Sequence, residues 1–148
     1  VSTAGRKALI AASIFGLCDG MMSILGVIFT LRSHPALVPW SAAIGGVGAG
    51  LSMAVGQYVS ADNDDGVPAC LMLGLATSVG SVLPALPYLG LRGAPAIWST
   101  GGICLVLVCV VAALRAGGRW RGGALVFGLL AGVFGVTLGC ALAAPAGA

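Results

Sequence analysis

ALIAASIFGLCDGMMSILGVIFTL, residues Ala8–Leu31, is the stretch on which the reading of this chain turns. It is apolar throughout except for one charge, Asp19, near its midpoint. An α-helix rises about 1.5 Å per residue, so about 20 such residues cross the hydrocarbon core of a bilayer. Arg6 and Lys7 precede the run as the basic end of a secretory signal would. The run is too long for the apolar part of a signal, however, and carries an acid in its middle, so it reads as a membrane helix.

The rest of the chain repeats the pattern. Four further apolar runs, Val38–Ser60, Val67–Leu89, Ala94–Leu114 and Gly122–Ala144, each have spanning length. The breaks between them hold turn-forming and charged residues: Arg32, His34, Pro35 and Pro39; Asp62, Asn63, Asp64, Asp65, Gly66 and Pro68; Gly90, Arg92, Gly93 and Pro95; Arg115, Gly117, Gly118, Arg119 and Arg121. All connections are short, so consecutive helices are expected to be antiparallel with no domain between them. The expected fold is all-α: a single polytopic domain over residues 1–148 with five transmembrane helices.

Composition agrees. Of 148 residues, 59% are hydrophobic and 7% charged, and the mean hydropathy is +1.09. Soluble domains carry about a quarter charged residues, which excludes a soluble enzyme and a disordered tail. A net charge of +3, scattered along the chain, is no nucleic-acid footprint, which needs a clustered basic face. Its use is topological: Arg6, Lys7, Arg115, Arg119 and Arg121 fall on one side of the bilayer, and only Arg32 and Arg92 on the other. The positive-inside rule puts the N-terminus and the Asp62, Asp64, Asp65 loop in the cytoplasm, and the C-terminus outside or in a lumen. One Lys beside abundant Ala, Gly and Arg points to a bacterial plasma membrane.

Cys18, Cys70, Cys104, Cys109 and Cys140 form no C-x-x-C pair and read as small apolar residues rather than a zinc or disulfide framework. Glycine, at 25 residues, is more telling. Ala42, Gly46 and Gly50 recur every four residues in the second run; Gly128 with Gly132, and Gly135 with Gly139, do so in the fifth. Such rows let helices approach closely in lipid, either within one chain or across a homodimer seam. Tyr88, Trp40 and Trp98 fall where an aromatic belt would place them.

Three of the four acids share one loop, which leaves Asp19 alone in the membrane. A carboxylate there costs about 2.5–3.5 kcal/mol on insertion scales. Desolvation favours a neutral carboxyl and a neighbouring cation favours the ionised one, which is the competition behind proton-for-cation exchange. No Lys or Arg lies at mid-membrane, so the partner is a bound cation, a proton or neutral dipoles. Met22 and Ser23 follow at helical spacing on the same side as Asp19. In the second run Met53, Gln57 and Ser60 form another stripe, in which a thioether and an amide oxygen suit softer transition metals.

The motifs are familiar as well as plausible. FGLCDGMMSILG, Phe15–Gly26, resembles the first-helix signature of the vacuolar iron transporter family, GLxDGxxSxLG. GAGLSMAVGQYVS, Gly48–Ser60, is similar to that family's second-helix motif, and LPALPY, Leu83–Tyr88, to its LPLLPY. The resemblance covers the first three helices by motif and the last two by topology. It implies a homodimer of five-helix protomers that moves ferrous iron or manganese out of the cytosol in exchange for protons, with no tightly bound cofactor. It also implies that Asp19 is the intramembrane acid and Met53 the methionine of the path; the donor chemistry and helical spacing of the residues themselves add Gln57 as a further metal ligand, with Met22, Ser23 and Ser60 as secondary positions along the pathway. The chain departs from the family at Gln57, where the motif carries Glu, and in lacking a Glu-rich cytosolic insert between helices two and three, as nodulin-like members do.

Another reading places an enzyme on the same scaffold. Asp19 would act as general acid or base and Gln57 as an orienting hydrogen-bond group, on an apolar substrate entering from the bilayer. In a third, Asp19 only hydrogen-bonds between protomers of an accessory membrane protein.

Overall fold

A computed structural model of the protein describes residues 3–31, 33–60 and 66–116, together with Gly128 and Gly135. Apart from those two glycines, the expected fifth span lies outside the described residues, as do Arg32, the acidic Asp62, Asp64, Asp65 loop, Arg119 and Arg121. Within them the chain is helical: α1 covers Thr3–Thr30, α2 Val38–Ser60, α3 Gly66–Ala85 and α4 Ala94–Ala116. All four are long and apolar enough to cross a membrane.

The helix ends follow local chemistry. α1 begins five residues before the apolar run, because Arg6 and Lys7 continue the helix beyond it. Between α1 and α2, His34 N–H donates to Leu31 O and Leu37 N–H to His34 O, giving a tight turn over Pro35–Leu37. α3 stops at Ala85 rather than Leu89: Pro87 has no N–H to continue the ladder, and Leu86–Leu89 tighten into a 3-10 turn instead. Gly93, at φ +64, turns the chain into α4, and its carbonyl accepts from Ile97 N–H. A side chain at that φ would strain the backbone.

α3 is the core of the bundle. Of its spanning window 56% is buried, against 28%, 22% and 28% for the other three. α1 runs parallel to α3, and α2 antiparallel to both, at separations only glycine permits. A Cβ on Gly16 would lie 2.5 Å from Leu73 O, and one on Gly20 would meet Thr77 O. From the other side, Gly80 packs on Leu17. On α2, Gly46 meets Ser81 and Gly50 meets Gly74 and Ser78. The Ala42, Gly46, Gly50 row is therefore an intramolecular seam. In the fifth run Gly128 and Gly135 are helical and exposed, and a Cβ on either meets nothing.

Two hydroxyls tie the seams together. Ser81 Oγ lies 3.2 Å from Gly20 O and 3.0 Å from Thr77 O; Ser78 Oγ lies 3.2 Å from Gly46 O and 3.0 Å from Gly74 O. A hydroxyl has one proton, so each serine divides it between the neighbouring helix and its own. Ser81→Ala is accordingly expected to cost only about 0.6 kcal/mol, the average for interhelical hydrogen bonds in a bilayer, as a small shift in the thermal unfolding midpoint.

α4 attaches differently. Cys104, Leu107 and Val108 pack against Met21 and Leu25 of α1, and Thr100 Oγ1 donates to Pro84 O at 2.7 Å. Toward the α1–α2 turn, Ile24, Ile28, Val38, Ala42, Ala85, Tyr88 and Ala96 form a second cluster. Tyr88 is thus a core residue and not a belt anchor, because the 3-10 turn swings its ring under α1 and α2. Trp40 and Trp98 do face outward. Of the cysteines, Cys70 and Cys104 are buried as expected, Cys18 is half-buried, and Cys109 is exposed on α4.

Candidate functional site

Asp19 sits half-buried on α1, one residue before Gly20. Gly16 and Gly20 face α3 and Met21 and Leu25 face α4. The 3.6-residue period therefore puts Asp19 on the remaining flank, in a stripe with Ala8, Ala12, Phe15, Ser23 and Gly26. Ser23 is exposed and Met22 half-buried beside it.

The same stripe opens into a cavity. Ala8, Ala11, Ala12 and Phe15 of α1, Gln57 of α2, and Ala69 and Leu73 of α3 line a space of about 280 Å³. It exists because alanine replaces bulkier residues on two facing helices. Gln57 brings the one amide, with its N–H donors and acceptor oxygen, to an otherwise apolar wall. Asp19 stands one turn beyond Phe15, past the inner end of this lining.

Register orders the candidate residues by depth. Ala54 and Gly50 pack on Gly74, and Gly16 packs on Leu73, so Met53 is level with Phe15 and Gly16. Gln57, one turn further along α2, is level with Ala11 and Ala12, whose cavity it shares. At 1.5 Å per residue, Gln57 and Asp19 stand about 12 Å apart along the bundle, with Met53 between them. Spread over that depth, the three side chains do not share one coordination shell, and of them only Gln57 lines the cavity. Ser60, at the exposed last turn of α2, lies outside that cavity lining. Among the described residues, no three His, Cys, Asp or Glu side chains converge.

The cavity was not anticipated from the sequence. Its trace there is the Ala8, Ala11, Ala12 spacing, which continues the stripe of Asp19 and shows its meaning only once Ala69 is brought opposite. Comparison with protein-family models, with curated proteins and with solved structures gives no match in any of the three.

Proposed function

We propose that this protein is a multi-pass membrane transporter, similar to vacuolar iron transporters, that moves ferrous iron or manganese out of the cytosol in exchange for protons. The observation that carries this reading is the depth series of Gln57, Met53 and Asp19, running from an open cavity at one end of the bundle to a single acid in mid-helix. With the N-terminus in the cytosol, the cavity is the cytosolic mouth. Gln57 and Met53 offer neutral oxygen and sulfur donors that strip water from a soft dication in stages. Asp19 binds the cation as carboxylate and releases it when a proton from the far side neutralises it.

A homodimer fits this arrangement. Ser23 and Gly26 beside Asp19 on α1, and Gly45, Gly48, Ser52 and Gly56 on α2, are exposed, and a Cβ on any of these glycines meets nothing. Small exposed flanks of this kind suit close packing against a second copy in lipid. A bacterial plasma membrane and a fifth helix, Gly122–Ala144, complete the proposal.

The test is uptake of ferrous iron or manganese into proteoliposomes, with internal pH recorded. Metal entry coupled to proton counterflow is the expected result; metal-independent proton movement, or none, refutes it. Gln57→Glu adds a second carboxylate to the path and is expected to tighten metal uptake about tenfold, one charge-assisted contact being worth about 1.5 kcal/mol. The apolar cavity walls favour one other reading, an enzyme acting on an apolar membrane-dissolved substrate with Asp19 as acid or base. An elongated organic molecule co-purifying in the cavity, together with turnover in chelator, would establish that instead.

A further inference from the structure

Trp40 and Tyr58 stand five complete turns apart on α2 and so project from one face, about 27 Å from each other along the axis. Their exposures are 67% and 63%. Between them on the same face lie Ile44, Val47, Leu51 and Val55, exposed at 74%, 58%, 66% and 53%. α2 makes its contact with α3 through the opposite side, Ala42, Gly46 and Gly50. Trp98 of α4 is exposed at 78%. It lies between Ala96, which packs with Ala42 and Ala85, and Thr100, which bonds Pro84. Trp98 therefore shares the depth of Trp40, within about one turn.

Helix seams in lipid are made by small residues, and on α2 those occupy other flanks. The Trp40–Tyr58 face is bulky and branched, closed at each end by an aromatic ring with a polar atom. Such rings settle at the headgroup level, where the ring is half in hydrocarbon and its N–H or O–H reaches water. Their separation is close to the thickness of a hydrocarbon core, about 30 Å and slightly less in thinner membranes.

We propose that the Trp40–Tyr58 face of α2 is a lipid-facing strip fitted to a hydrocarbon core about 27 Å thick, with Trp40 and Trp98 at one headgroup level and Tyr58 at the other. Acyl chains cover Ile44, Val47, Leu51 and Val55. A second copy of the chain, wherever it docks, leaves this strip uncovered. None of this depends on what the protein transports or transforms.

The test is tryptophan quenching in phosphatidylcholine vesicles brominated near the headgroup, at mid-chain, or near the chain terminus. In the full chain bearing Trp120→Phe, emission comes from Trp40 and Trp98 and should be lost most to the shallow bromines. With all three tryptophans replaced by Phe, Leu51→Trp should lose most emission to the chain-terminal bromines, and Tyr58→Trp to the shallow ones. Val47→Trp is a second mid-face reporter should Leu51→Trp fail to fold. Mid-face reporters untouched by bromine at any depth would mean that protein covers the strip. A deep maximum for Tyr58→Trp or for the Trp40 and Trp98 pair would overturn the thickness assigned here.

Discussion

Asp19→Asn is expected to abolish metal uptake while leaving the protein folded. Asparagine has nearly the size of aspartate and still donates and accepts hydrogen bonds, so the half-buried position on α1 keeps its packing. It can neither carry negative charge nor exchange a proton. Among the four acids of the chain the other three share a single loop, and no Glu exists to substitute. Removing one partner of a charge pair withdrawn from water costs about 3–5 kcal/mol, which at 1.4 kcal/mol per decade is a loss of a hundredfold or more. The measurement is initial uptake rate in proteoliposomes, with gel filtration and thermal unfolding as controls for folding. Uptake within a few-fold of the wild type would remove Asp19 from the mechanism and with it the proposed transport cycle.

Gly20→Ala should be the most damaging of the conservative substitutions. Ordinarily a helical Gly→Ala change gains up to about 1 kcal/mol in helix propensity. At Gly20 the added methyl would occupy the position of Thr77 O and press on Ser81 N and Oγ. Backbone atoms of α3 cannot rotate away as a side-chain tip can, so α1 must move bodily. Displacing it disturbs the Gly16 and Leu17 contacts as well as the Ser81 bond. Overpacking a close seam costs about 1–3 kcal/mol and more where backbone is struck. Gly102→Ala on α4 is the matched control, since a Cβ there meets nothing. Thermal unfolding followed by loss of the monodisperse peak should show a clear drop for Gly20→Ala and no drop for Gly102→Ala. Equal midpoints for the two would contradict the close α1–α3 approach.

Much of the fold was legible because the signals for it are local. α2 coincides with its apolar run at both ends, Val38 and Ser60, since Pro35 and Pro39 mark its beginning and polar residues follow it. α4 starts at Ala94 as expected for the same reason. The third run, Val67–Leu89, coincides with a helical span over Gly66–Leu89, whose last four residues, from Leu86, Pro87 diverts into a 3-10 turn. Of the three aromatics, Trp40 and Trp98 are exposed while Tyr88 is buried, since a place at the end of an apolar run says nothing about which way that turn swings the ring.

Of the candidate site, the lone acid was plain from counting, and its stripe from helical spacing. The depth order of Gln57, Met53 and Asp19 was not, since it depends on how far α2 slides along α3 before Gly50 meets Gly74. The cavity likewise needs alanines from two helices opposite one another.

The sequence by itself determined that the described chain is a set of helices long enough to cross a bilayer, and that one carboxyl lies within them. Run length, punctuation and charge count suffice for that. Only the tertiary structure decided which face of each helix looks inward, and the physical reason is the solvent. A helix apolar on every side has no polar face to turn toward water, so periodicity leaves its rotation open. Rotation is set instead by where backbones can approach, at Gly16, Gly20, Gly46, Gly50 and Gly80, and that is a property of pairs of helices.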